Sequence, residues 1–302
     1  MRIHHLNCGC MCPLGGAWFD GFSKGLTASL VCHCLLIETD AHGLVLVDTG
    51  FGTCDVQRPR GRLSPFFIAF NNIRFEHRYT ALEQVRQRGF DPADVRHIVL
   101  THLDFDHAGG LSDFPNAQVH VLQREIDAAR QTHSLLGRNR YRHRQWEHVR
   151  HWHFYEPGGD TWFGFQTVQG LDGLPPEILL VPLTGHTHGH AGVAIDTGAG
   201  WLLHAGDAYF YRDEVGRTAR HCTPGLKFYQ RMMEVDRTAR LANQHRLWTL
   251  SMEHKQEVTL FCSHDALELE RMQAGEMSRD ASSEVPSHAS QQAPAESTRQ
   301  DG

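Results

Sequence analysis

An α/β fold is predicted by three features of this 302-residue chain. Short apolar runs of strand type recur along it; several of them stop abruptly in loops of His, Asp and Gly; and helix-like segments lie between them. With 40% hydrophobic residues the chain can bury one large core, so a single catalytic-sized domain over residues 1–274 is the simplest organisation.

The first elements are Val31 to Thr39 and Leu44 to Val47, two apolar runs joined by Asp40-Ala41-His42-Gly43, which predict a β-hairpin. The second run leads into Asp48-Thr49-Gly50. Residues 55–80 read as an irregular apolar insertion in which Phe66, Phe67 and Phe70 either pack on the core or wall a substrate. A helix follows from about Ala81 to Arg88, then the buried strand His97-Ile98-Val99-Leu100. Ala108-Gly109-Gly110-Leu111 resembles a helix start, Gln118 to Leu122 a strand and Arg124 to Gln131 a helix.

Residues 138–153 are rich in Arg and His, with Tyr141, Trp146 and Trp152. Such a run is usually a solvated helical face; a cationic lid for a carboxylate or phosphate is the alternative. From Asp160 the chain turns strand-rich: Trp162 to Gln169, Ile178 to Leu183, Gly192 to Asp196 and Trp201 to His204. Helical signals return from Lys227 to His245, and Glu257 to Cys262 is the last strand. Residues 275–302, poor in apolar side chains, predict a disordered tail.

The densest chemistry lies just after the strand 97–100, where Thr101-His102-Leu103-Asp104-Phe105-Asp106-His107 offers four metal-competent side chains within six positions. Alternating ligands on an extended loop face one way, and the pair just beyond can turn to a second point, a spacing suited to two adjacent metals. Three later segments also end in candidate donors: Gly185-His186-Thr187-His188-Gly189-His190, Leu203-His204-Ala205-Gly206-Asp207 and Cys262-Ser263-His264-Asp265.

This ordered set resembles the metallo-β-lactamase superfamily, whose His-x-His-x-Asp-His signature it matches except that Asp104 stands where the second His normally stands. The resemblance covers roughly residues 30–270 and implies a four-layer αββα sandwich with the metals at one edge. It implies one metal on His102, Asp104 and His186, another on Asp106, His107 and His264, and Asp207 bridging them. Asp48 would support the metal loop, and His190 would orient the site from behind.

The implied chemistry is that of a dinuclear metal-dependent hydrolase whose bridging hydroxide attacks an ester, lactone or thioester carbonyl, with Asp106 also handling protons. Motif order is closest to the N-acyl homoserine lactonase and glyoxalase II branches. The lactonases place a carbonyl-polarising Tyr three residues after the bridging Asp; here that position is Phe210, so Tyr209 and Tyr211 are the candidates. Zinc is the expected metal pair, with manganese or iron favoured in proportion as the Asp104 carboxylate hardens the first site. A diiron redox protein and a metal-binding regulatory protein are the alternatives.

A net charge of −6 gives no general attraction to nucleic acid or to an anionic membrane, so a small molecule is the expected partner. The N-terminus has no continuous apolar signal region, from which a soluble cytoplasmic protein is expected. Eight cysteines alternate within short segments, Cys8, Cys10 and Cys12 among them, which disfavours mutual bridging. They are expected to be reduced thiols, an accessory metal or redox site at Cys8, Cys10 and Cys12 being the alternative.

Overall fold

The computed structural model describes residues 1–283. Seven strands form one mixed sheet: β1 (Arg2–Met11), β2 (Leu30–Glu38), β3 (Leu44–Val47), β4 (Ile73–Arg74), β5 (Val95–Val99), β6 (Gln118–Leu122) and β7 (Trp152–Tyr155). Their spatial order is β4-β1-β2-β3-β5-β6-β7, antiparallel as far as β3 and parallel from β3 to β7. A small hairpin, β8 (Thr161–Trp162) with β9 (Phe165–Gln166), precedes the second sheet. That sheet orders β10 (Ile178–Pro182), β11 (Ala191–Asp196), β12 (Trp201–His204) and β13 (Val258–Phe261), with β12 and β13 parallel.

Strand alternation assigns each side chain to a layer. Leu35, Ile37, Val45, Val47 and Val99 of the first sheet pack against Ile178, Leu180, Val193, Ile195 and Phe261 of the second, forming the central core. Their neighbours Leu36, Leu46, Ile98 and Val119 face the opposite way, onto Val85 and Ile126 of the helices Ala81–Gln87 and Gln123–Gln131. On the far side, Leu179, Val181, Ala194, Leu203 and Leu260 meet Leu247 and Leu250 of the helix Arg237–Glu253. Helix, sheet, sheet, helix is the expected αββα sandwich. Strands covered on both faces explain the near-continuous apolar runs. Each such buried side chain contributes roughly 1.5–3 kcal/mol.

Several local expectations need correction. The insertion carries three short helices, Thr53–Gln57, Pro59–Arg62 and Pro65–Asn71, the last two begun by Pro at their first position, where its missing N–H costs nothing. Phe67 is fully buried and stacks on Phe105 at 4.8 Å, whereas Phe66 is exposed. The helical signals from 227 to 245 fall on two helices, Pro224–Met233 and Arg237–Glu253. Asp236 caps the second, and the carbonyl of Gly185 accepts the N–H groups of Val235 and Asp236, pinning the break beneath the His186 loop.

The expected tail begins as helix: Ala266–Ser283 runs through residues 275–283. Glu276 explains why, since it pairs with His4 Nδ1 at 2.6 Å and accepts the His5 N–H at 3.1 Å, tying a polar turn to β1 without apolar burial. The remainder of that expectation, 284–302, lies outside the described residues. All eight cysteines are free, as expected, with the Cys10 and Cys12 sulfurs 3.5 Å apart. Among the described residues no helix is long and apolar enough to cross a membrane.

Candidate metal centre

Five segments that follow strands deliver polar side chains to one edge of the sandwich: Asp48 after β3, the 101–107 loop after β5, the 183–190 loop after β10, Asp207 after β12 and His264 after β13. Ligand sites in open α/β sheets gather at such strand ends. Asp48 adopts a left-handed backbone, φ 55°, which no side chain except Asn or Asp takes readily. The turn directs its carboxylate to the N–H (2.8 Å) and hydroxyl (2.7 Å) of Thr101 and to His107 Nδ1 (2.8 Å). The Thr101 hydroxyl in turn accepts from His102 Nδ1 at 2.9 Å. Both rings therefore turn Nε2 inward.

All seven predicted donors converge. Ligand atoms of His102, Asp104, His186 and Asp207 lie within 4.8 Å of one another, as do those of His107, Asp207 and His264, and those of Asp106 and His264 with Cys32. In the first set His102 Nε2 is 3.4 Å from Asp104 Oδ2, and His186 Nε2 is 3.0 Å from Asp104 Oδ2 and 3.2 Å from Asp207 Oδ2. In the second, Asp207 Oδ1 is 3.4 Å from His107 Nε2 and 3.1 Å from His264 Nε2, while Asp106 Oδ2 is 3.7 Å from His264. A tetrahedral ion with bonds of about 2.0–2.1 Å separates its donors by about 3.3 Å, so these spacings suit metal ions. His102 Nε2, His107 Nε2 and Asp207 Oδ1 are buried with no hydrogen-bond partner, an arrangement that is costly unless a cation occupies the gap. The residues fit a dinuclear metal group.

Supporting contacts fix the donors. His190 donates through Nδ1 to the Leu183 carbonyl at 2.9 Å and accepts the Asp207 N–H through Nε2 at 2.8 Å, so it orients the shared carboxylate. Exposed His188 stays outside the donor sets. His264 donates through Nδ1 to the Val31 carbonyl at 2.7 Å. Burial opposes ionisation of Asp207, but His264, His107 and His186 outweigh it and hold the carboxyl well below its usual range. Burial likewise opposes charge on His107, yet Asp207, Asp48 and Asp106 raise its pKa well above the ordinary value. His102 is pushed down to about 4 by burial and then by His107.

Four residues escape sequence reasoning. Arg140, buried at 1% exposure, grips both Asp104 oxygens at 2.6 Å, contrary to the solvated face expected for residues 138–153. Glu125, fully buried, accepts from Leu103 N–H (3.0 Å), Thr187 hydroxyl (2.6 Å) and Gly189 N–H (3.0 Å), lacing the first donor loop to the second. Cys32 brings its sulfur within 4.8 Å of Asp106 and His264 donor atoms. Tyr229 packs its ring against Phe210 at 5.7 Å, and the pKa of its hydroxyl is raised first by burial and then by Asp106, Asp207 and Asp104.

The tyrosines expected at the site require correction. Tyr209 donates to Glu268 at 3.1 Å inside the outer core, and Tyr211 accepts from Arg212 at 3.0 Å against Gly21. Phe210 is the residue of this turn that faces the donors, stacked on His264 at 5.0 Å and tilted against His186 at 5.7 Å. Its neighbours necessarily point elsewhere.

Comparison with known proteins agrees with this geometry. Residues 29–245 match the family model for the metallo-beta-lactamase superfamily. Proteins of Mycobacterium tuberculosis and Mycobacterium bovis described as "probable metallo-hydrolase" are each 41% identical over 88% of this chain and 80% of their own. An N-acyl homoserine lactonase of Bacillus thuringiensis is 25% identical over 72% of this chain and 80% of its own. A solved N-acyl homoserine lactone hydrolase with product at its catalytic metal centre superposes with a TM-score of 0.64 at 20% identity, covering 89% of this chain and 95% of that one. Together with the donor sets, the kinship makes this a metal-dependent hydrolase. The chain belongs to the metallo-beta-lactamase superfamily.

Proposed function

We propose that the enzyme opens a small lactone or related carboxylic ester, with His102, Asp104 and His186 holding one divalent cation, Asp106, His107 and His264 a second, and Asp207 shared between them. The observation that carries this reading is the Asp207 carboxylate, which turns Oδ2 toward His186 at 3.2 Å and Oδ1 toward His107 at 3.4 Å. Two cations so held, zinc being the first choice, would supply an activated water and Lewis-acid polarisation of the carbonyl.

The chain's own groups do the rest. Asp106, at the rim of the second set, is placed to take a proton from the attacking water and pass it to the leaving oxygen. Phe210 closes an aromatic wall beside His186 and His264, against which an apolar part of the substrate can pack. Tyr229, packed against Phe210, is the tyrosine whose hydroxyl would donate a hydrogen bond to the carbonyl oxygen as negative charge develops there. Lactones are the favoured class because relatives at 25–26% identity are N-acyl homoserine lactonases.

The test is a panel of acyl homoserine lactones, aliphatic lactones, thioesters, phosphodiesters and a chromogenic β-lactam, each with and without chelator. Chelator-sensitive lactone turnover is expected. A preference for phosphodiesters or thioesters would overturn the lactone assignment and leave the metallo-hydrolase intact.

A further inference from the structure

We propose that Arg140 is a built-in charge partner for Asp104, so that the two together act at the first donor set as one electrically neutral ligand. A carboxylate in place of an imidazole adds one negative charge to a buried pocket that already holds Asp106 and Asp207. That charge is answered inside the fold. Arg140 Nε and Nη2 lie 2.6 Å from Asp104 Oδ1 and Oδ2, a two-pronged pair with 1% of each residue exposed.

The guanidinium is also fixed in place. Nη1 donates to the Met233 carbonyl at 2.6 Å and to the His186 carbonyl at 3.3 Å, binding it to the helix Pro224–Met233 and to the second donor loop. Nη2 lies 2.9 Å from His186 Nε2, so the cation borders two donors of the first set at once. Asp104 Oδ2 is shared among Arg140 Nη2 at 2.6 Å, His186 Nε2 at 3.0 Å and His102 Nε2 at 3.4 Å. A buried arginine with no carboxylate is strongly unfavourable, and so is a buried carboxylate with no cation. Each residue is stabilised by the other. Asp104 therefore leaves the charge balance of the site close to that of a histidine ligand, and the part of the shift toward manganese or iron that comes from added negative charge is offset by Arg140.

This inference rests on the two-cation reading of the site but not on its substrate. The experiment measures metal binding by elemental analysis, zinc affinity by chelator competition and first-site geometry by the visible spectrum of the cobalt-substituted protein. It compares wild type with Asp104→His, Asp104→His/Arg140→Met, Arg140→Lys and Arg140→Met. Asp104→His alone, which strands the arginine beside the first cation, is expected to weaken one zinc site about 100-fold, the upper end for loss of an outer-shell partner. The double variant is expected to recover to within about tenfold of wild type, and its cobalt spectrum to return.

Arg140→Lys, which keeps the charge but not the two-pronged grip, should keep the wild-type preference for zinc over manganese, while Arg140→Met shifts that preference toward manganese about tenfold. That second pair decides the matter if Asp104→His does not fold. Wild-type zinc binding in Asp104→His, no recovery in the double variant, or an unchanged zinc-to-manganese ratio in Arg140→Met would overturn the proposal. Two tightly bound metals with no lactone turnover would instead overturn the proposed substrate and leave the pairing standing.

Discussion

Asp48 accepts the Nδ1–H of His107 at 2.8 Å, and this contact turns His107 Nε2 toward Asp207 Oδ1, 3.4 Å away. The metal-facing atom is thus aimed by a residue 59 positions earlier that is no ligand itself. Replacing Asp48 by Asn should release the His107 ring directly and the His102 ring only through Thr101, lowering second-site metal affinity by about 10–100-fold and first-site affinity less. Chelator competition reads both sites in one titration. Equal loss from both would mean that Asp48 holds the whole loop and not the ring.

Tyr229 and Tyr209 should separate cleanly. Tyr229→Phe removes the hydroxyl proposed to meet the carbonyl oxygen and is expected to lower kcat about 100-fold with two metals still bound. Tyr209→Phe breaks only its bond to Glu268 and should change thermal stability and not kcat. Steady-state kinetics paired with metal content distinguishes them, and an unaltered kcat in Tyr229→Phe removes that residue from the chemistry.

The His97–His120 pair predicts an acid-sensitive fold. Burial, then His42 and His153, pushes His97 down to about 4; burial, then His97 and His153, pushes His120 down to about 3. Both stay neutral in the native protein while their unfolded counterparts gain protons below about pH 6.5. The unfolded state then binds more protons, so stability is full above pH 6.5 and falls as the pH drops toward 4 and 3. At pH 5 the loss is on the order of 1–2 kcal/mol per residue. Urea denaturation at pH 7 and pH 5 should show this difference shrink in His120→Gln; an equal difference in both proteins would assign acid sensitivity elsewhere.

Asp207→Ala should empty both sites, because each donor set loses an oxygen while the backbone N–H held by His190 stays in place. Elemental analysis is expected to fall from two metals per chain to fewer than one, and one fully retained metal would show that Asp207 serves a single site.

Much of this architecture is legible in the sequence because strands buried on both faces leave continuous apolar runs, and because His102, Asp104, Asp106, His107, His186, Asp207 and His264 sit where those runs end. Strand β1 is less visible, its polar His4, His5 and Asn7 interrupting the apolar pattern although His4 and His5 are buried. Arg140 is hidden by its neighbours: Arg138, His143 and Arg144 are exposed, so the average character of the run is solvation and its one buried cation goes unmarked. Tyr229 reaches the site from a helix far along the chain, and the Phe210 turn shows how a one-residue offset exchanges which ring faces the donors. Sequence spacing locates donors that share a loop. It does not locate partners that only packing brings together.

The most direct test of the dinuclear hydrolase is elemental analysis of the purified protein together with its rate of lactone hydrolysis as metal is removed and returned. Two metals per chain, with activity lost on chelation and regained in proportion to the metal restored, is the result predicted. Absence of stoichiometric metal, or hydrolysis that survives its removal, would contradict the account.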